Sequence, residues 1–153
     1  LMMNGAVTIG TRDGANIEIL DAVGAENFFL FGLDADEVAA TRAQYNPDAI
    51  IDADPQLGEV MSLIESGHFN QFEPGIFAPL IASIRDPHDP WLTAADFGSF
   101  VRAQSDAAAA YRDRDRWLDM SIRNTAASGR FSSDRTITEY NDDIWGLEAA
   151  MVA

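Results

Sequence analysis

Apolar residues gather first in two short runs near the start of the chain and then at helical spacing through the remainder. Gly5 to Gly10 carries Val7, Thr8 and Ile9, which suits a buried strand, and Phe28-Phe29-Leu30-Phe31, closed by Gly32, suits a second. Between them, Gly14 to Val23 holds Ala15, Ile17, Ile19 and Leu20 and predicts a short helix. A strand, a helix and a strand in that order predict two parallel strands joined by a crossover.

After Gly32 the spacing is helical and the ends are marked. Asp34 and Glu37 stand three apart, as a capping box requires. Asp54-Pro55 predicts an N-cap followed by proline in the first turn, with Gly67 as the stop. Leu57, Val60, Met61 and Ile64 would share one face of that helix. Phe77, Leu80, Ile81 and Ile84 repeat the spacing until Asp86-Pro87 breaks it. Thr93 and Asp96 form another capping-box pattern, continued by Phe97, Phe100, Val101, Gln104 and Tyr111, while Ala107 to Ala110 adds only helix propensity. Trp117, Leu118, Ser121 and Ile122 mark the next helix, which Gly129 ends. Ser132 or Ser133 would cap the last one, whose stripe is Ile137, Tyr140 and Ile144 with Trp145 beside it. No internal repeat or low-complexity linker interrupts the series.

Two strands do not make a stable parallel sheet by themselves, because such a sheet needs further strands and cover on both faces. Nothing after Gly32 predicts another strand, and the chain opens with Leu1 almost directly into its first. The expectation is therefore an incomplete domain whose other strands lie outside this chain.

Composition narrows the chemistry. With 153 residues and 47% hydrophobic content, the chain can bury a core. No apolar run approaches the roughly 20 residues of a membrane span, and no secretory signal pattern is visible. There are no cysteines, which removes disulfides, thiolate metal sites and cysteine nucleophiles. The net charge of -15 repels phosphate backbones and anionic lipids, arguing against nucleic-acid and membrane partners. All ten basic residues are arginines. A Schiff base needs an amine that can lose its proton, so without lysine this chain cannot hold pyridoxal phosphate covalently.

Four groups of residues carry candidate chemistry. Gly10-Thr11-Arg12-Asp13-Gly14 joins strand to helix and could present N–H groups to a phosphate, but Asp13 would repel an anion and suits a helix N-cap. The glycines lack the spacing of a dinucleotide fingerprint. Asp86-Pro87-His88-Asp89-Pro90 places ligand types together, yet two prolines favour a rigid loop, and His68 lies apart. Arg130, Ser132, Ser133 and Arg135 bracket a helix start, where an anion or simply a cap with arginines paired to Asp134 or Glu139 would fit. Asp34/Asp36, Asp52/Asp54 and Asp142/Asp143 fall in turns and on polar faces, and no G-x-S-x-G elbow appears. The aromatic residues, Trp91, Trp117 and Trp145 among them, fit core or interdomain packing.

Four runs stand in a fixed order: Asn4-Gly5-Ala6-Val7-Thr8-Ile9-Gly10-Thr11-Arg12-Asp13-Gly14-Ala15-Asn16-Ile17-Glu18, then Glu26 to Gly32, then Trp117 to Thr136 with Ser128-Gly129-Arg130-Phe131-Ser132-Ser133-Asp134-Arg135, and Ile144-Trp145-Gly146. In this order they resemble the α-glucan (glycogen, starch or maltodextrin) phosphorylases. The stretch from about Asp34 to Ala110 matches loosely. The resemblance implies an α/β fold, the incomplete Rossmann-like half of a two-domain glycosyltransferase of the GT-B kind. Residues 1–32 would be the β-α-β end of the C-terminal domain. Residues 33–153 would be its helical remainder, with the last helix packing back towards a missing N-terminal domain.

It further implies a cytoplasmic, homodimeric parent that phosphorolyses α-1,4-glucans to glucose 1-phosphate with pyridoxal phosphate as cofactor. The Schiff-base lysine would immediately precede Leu1. The glycine-rich loop around the cofactor phosphate and the basic residues around the substrate phosphate would also lie upstream. No catalytic, cofactor-binding or metal residue is then expected here, and the 153-residue chain by itself should be inactive. A non-catalytic helical interaction module and a segment of another GT-B glycosyltransferase are the alternatives.

Overall fold

In the computed structural model, which describes residues 1–148, the opening segment folds as its pattern requires. A single 3-10 turn, Met2–Asn4, ends on Gly5 in the left-handed region and leads into β1 (Thr8–Thr11). Helix α1 (Ala15–Val23) crosses to β2 (Phe28–Phe31), and the strands pair in parallel with Ile9 opposite Phe29. They are the two strands of the one sheet among the described residues.

Helices follow: α2 (Ala35–Arg42), α3 (Pro47–Ala53), α4 (Pro55–Glu65), α5 (Ala78–Ile84), α6 (Thr93–Arg112), α7 (Arg114–Ala127) and α8 (Ser133–Tyr140). The capping box on α2 is complete, with Glu37 N–H donating to Asp34 and Asp34 N–H donating to Glu37. Asp54 accepts from Gln56 and Leu57 N–H at the start of α4. Helix α3 is the element that the apolar spacing does not mark. Its signal is Asn46-Pro47, the same cap-and-proline pair as Asp54-Pro55, and Asn46 does accept from Ala49 N–H.

Two cores result. One holds Tyr45, Ile51, Leu57, Met61, Leu92 and Ala94, under α2 to α5 and the start of α6. The other packs Phe29 against Ala103, Ala107, Ala110 and Met120. Those alanines are more than helix propensity: their lack of bulk lets α6 lie closely on the strands. The larger side chains on the apolar spacing of α6 and α7, Phe100, Tyr111, Leu118 and Ile122, are exposed.

The start of α6 also departs from its sequence pattern. Thr93 is the first helical residue rather than a cap, and Leu92 precedes it at φ 53, strained for a leucine but with its side chain in the core. The cap comes from Asp89, whose carboxylate accepts from Trp91 N–H at 2.9 Å and Thr93 N–H at 2.8 Å. Tyr45 Oη accepts from Ala94 N–H, and the Arg42 guanidinium donates to Asp89 O and Pro90 O. Asp96, the other half of the expected box, instead accepts from Leu33 N–H at 3.0 Å.

These two carboxylates should answer pH in opposite senses. Burial pushes the Asp89 carboxyl up, but the Thr93 and Trp91 N–H groups, the Thr93 hydroxyl and the Arg42 charge outweigh it and hold it below its ordinary value. Its stabilisation is present above the unfolded-state value and is lost as pH falls through the folded one. Burial raises Asp96, and the Leu33 N–H only partly offsets that. Its charged form therefore burdens the fold above the raised value, and acid relieves it. We expect Asp89→Asn to lower the urea midpoint at pH 7, with the gap to wild type closing towards pH 3. Asp96→Asn should hold or raise that midpoint at pH 7, and a clear drop would contradict this assignment.

Candidate functional site

The turn after β1 is an exposed loop rather than a formed cradle. Gly14, at φ 52, occupies the N-cap of α1 without any side-chain cap, so Asp13 does not serve as one. Its carbonyl accepts from Asn16 N–H instead. The Asn16 amide lies over Gly10, where a Cβ would come within 2.7 Å of its nitrogen. Arg12 and Asp13 are both exposed.

The proline-flanked loop has no ligand geometry. Asp86 accepts from His88 N–H and lies 3.3 Å from its ring Nδ1, at the surface, while Asp89 turns inward to cap α6. His68 stacks edge-on against Phe69. Among the described residues no three His, Asp or Glu side chains could hold a metal ion together.

At the start of α8, Ser132 is the cap, accepting from Arg135 N–H. The Arg135 guanidinium turns back on its own surroundings, to Arg130 O at 2.9 Å and Glu139 at 2.6 Å. Ser132 and Arg135 thus serve the helix itself. The acidic pairs are likewise apart in role: Asp34 and Asp54 cap helices, while Asp36, Asp52, Asp142 and Asp143 face solvent.

What the structure does assemble is apolar surface. Helix α8 and the π-helical turn Asn141–Trp145 that continues it expose Ile137 (56%), Tyr140, Ile144 (66%), Trp145 and Leu147. Tyr140 and Trp145 stack at 5.6 Å, and Asn141 bonds Leu147 through both its amide atoms, so the exposed residues are held in a fixed shape. A second patch opens beyond the end of β2. Phe31, Trp91, Thr93, Asp96, Phe97 and Phe100 line a hollow of about 340 Å³, with Trp91 78% exposed. The indole's exposure follows from the strained, capped loop beneath it, which the sequence pattern does not signal.

Neither patch brings a nucleophile and a base into contact. Exposed apolar patches of this kind often mark surfaces that pack against another domain or partner. No helix among the described residues is long and apolar enough to cross a membrane.

The profile of the carbohydrate phosphorylases matches residues 1–147. A glycogen phosphorylase of Synechocystis is 48% identical over 98% of this chain, and one of Chlamydia pneumoniae is 41% identical over 94%. The H isozyme of wheat α-glucan phosphorylase is 43% identical over 98%. The chain spans only 17 to 18% of the length of these relatives.

Proposed function

Since this chain belongs to the carbohydrate phosphorylase family, we propose that it is the C-terminal segment of an α-glucan phosphorylase and serves that enzyme by completing and bracing a domain. The carrying observation is a match across nearly the whole chain to relatives more than five times its length. The parent's reaction would be phosphorolysis of α-1,4-glucans to glucose 1-phosphate in the cytoplasm, by a homodimer.

The parallel pair β1–β2 is the end of a Rossmann-like sheet, in this reading, with the remaining strands upstream. Residues 1–32 would belong to that sheet layer. Residues 33–153 would form the helical remainder of the same domain, although residues 149–153 lie outside the described residues. Helix α8 would lay its apolar stripe on the N-terminal domain of the two-domain GT-B fold. The unburied Ile137 of α8 and Ile144 of the turn after it support this placement, since the described residues offer them no core.

Pyridoxal phosphate, which supplies the acid-base phosphate of such an enzyme when bound, does not fit the residues present here. There is no lysine to hold it, and the Arg135 guanidinium at the start of α8 is engaged with Arg130 O and Glu139. We assign no catalytic, cofactor-binding or metal role to any residue of this chain. What its residues would do is orient the two halves of the cleft, a contribution to which reaction rates are sensitive.

Intact mass under denaturing conditions, with an absorbance scan and an assay on maltodextrin plus phosphate, tests this. The expected source is a much heavier polypeptide that carries the cofactor and releases glucose 1-phosphate. The 16.7 kDa chain by itself should release none. Phosphorolysis by that chain alone would overturn the assignment.

A further inference from the structure

The hollow beyond β2 differs from the α8 stripe in holding a carboxylate, and three segments of chain meet to place it. Gly32 follows β2 at φ 83, and a Cβ on it would come within 3.0 Å of Thr11 Cγ2, at the end of β1, and of Asp96 Oδ2, in the first turn of α6. Gly32 N–H donates to Ser99 Oγ at 2.9 Å, and Leu33 N–H donates to Asp96 Oδ1 at 3.0 Å. These bonds hold α6 against the carboxyl ends of both strands. Crevices at the carboxyl ends of parallel strands are where open α/β sheets bind their ligands.

The side-chain oxygens of this hollow are acceptors. The Thr93 hydroxyl spends its proton on the Asp89 carboxylate. Asp96 is half-buried, and its charge is answered by the Leu33 N–H but by no arginine among the described residues, so burial holds its carboxyl above the ordinary value. The rest of the lining is aromatic. Phe31 and Phe100 meet edge to face with ring centroids 5.2 Å apart, and Phe97 and the exposed Trp91 indole add two more rings. Aromatic faces attract cations, and a carboxylate on the same wall strengthens that preference. The positive end of α6 would oppose a cation, but the Asp89 carboxylate caps that end, and Arg42 is held on the Asp89 and Pro90 carbonyls. The net charge of -15 acts in the same direction as Asp96.

We propose that this hollow is a binding site for a small organic cation, an alkylguanidinium whose head pairs with Asp96 and whose flat face lies on the Trp91 indole. A guanidinium suits it better than an ammonium, because it is planar, more weakly hydrated, matched to a carboxylate and able to stack on an aromatic ring. Its apolar stem would run along Phe31 and Phe100. The volume of about 340 Å³ falls at the small end of ligand pockets. Every residue involved lies within the described part of this chain, and the assignment does not depend on the function proposed above.

The test is a ligand-observed NMR titration of the full polypeptide that carries this chain. The probes are butylguanidinium and butylurea, which has the same shape without the charge. Saturable binding of butylguanidinium in the millimolar range is expected for so small a ligand, with butylurea at least about tenfold weaker. Asp96→Asn keeps an oxygen for Leu33 N–H but removes the charge, and should weaken butylguanidinium binding about 10- to 150-fold. Trp91→Leu changes an exposed side chain and should weaken it about 2- to 30-fold. Asp36→Asn removes the same charge from an exposed position on α2 and should leave binding unchanged. Equal binding of the two probes would make the hollow merely apolar, and full affinity in both Asp96→Asn and Trp91→Leu would put the cation elsewhere; either result overturns the assignment. So would the absence of saturable binding up to about 50 mM. Binding of an arginine-bearing peptide with butylguanidinium refused would make the hollow a protein interface and overturn it equally.

Discussion

Placing aspartate at both Ile137 and Ile144 should reduce phosphorolysis by the full polypeptide at least a hundredfold while leaving the fold of residues 1–132 intact. Both side chains are more than half exposed here, and surface changes of that kind ordinarily move stability by no more than about 0.5 kcal/mol each. If α8 docks on a second domain, however, each isoleucine buries against it. Burial of such a side chain contributes about 1.5–3 kcal/mol, so losing two amounts to about 3–6 kcal/mol. At roughly 1.4 kcal/mol per factor of ten, that shifts docking by two to four orders of magnitude. Buried carboxylates would add to the penalty.

The informative comparison is between urea midpoints of the 153-residue chain and activity of the parent. Unchanged midpoints with lost activity place the effect at the docking face. Full activity in the double variant would show that this stripe faces solvent in the whole protein as well.

Met120→Ala should destabilise the chain by about 2–5 kcal/mol, whereas Ile122→Ala, two residues on, should cost less than about 0.5 kcal/mol. Met120 is 2% exposed and packs with Phe29, Ala103, Ala107 and Ala110; Ile122 is 65% exposed. Because the total stability of a domain this size is only about 5–15 kcal/mol, the first change is a large fraction of it. The flanking alanines cannot move in to fill the void without dragging α6 off the strands, so little of the cost should be recovered by relaxation. Chemical denaturation of the two variants measures the difference. Equal losses would mean that Ile122 is part of a core, as its place in the apolar spacing suggests.

That contrast marks where sequence and structure part. Caps and breakers are local: Asp34 with Glu37, Asp54 with Pro55, and Ser132 before α8 act within a few residues, and each stands where its pattern puts it. The parallel strand pair was equally legible, because two short apolar runs flanking a helix leave few ways to pair. Absence of lysine is also a property of the sequence alone, and it removes covalent cofactor binding without any structure. The family was readable for the same reason, from long runs in fixed order.

Burial was not legible in the same way. Apolar spacing gives a face of a helix but not the neighbour it meets, and neighbours were decided by volume. Small residues at 103, 107 and 110 let α6 approach the strands, leaving Phe100 and Tyr111 outside. The start of α6 was decided by Asp89, four residues before Thr93, held in place by Arg42 from another helix. No short window of sequence contains that arrangement. The aromatic hollow beyond β2 and the hydrogen bond from Ser121 Oγ on α7 to Gly5 O are likewise products of chain segments far apart in sequence. The sequence by itself determined the ends that carry a local cap, as at α2, α4 and α8, since the groups responsible are covalently close. Tertiary structure alone decided which surfaces are covered, since burial depends on whatever else the chain brings alongside.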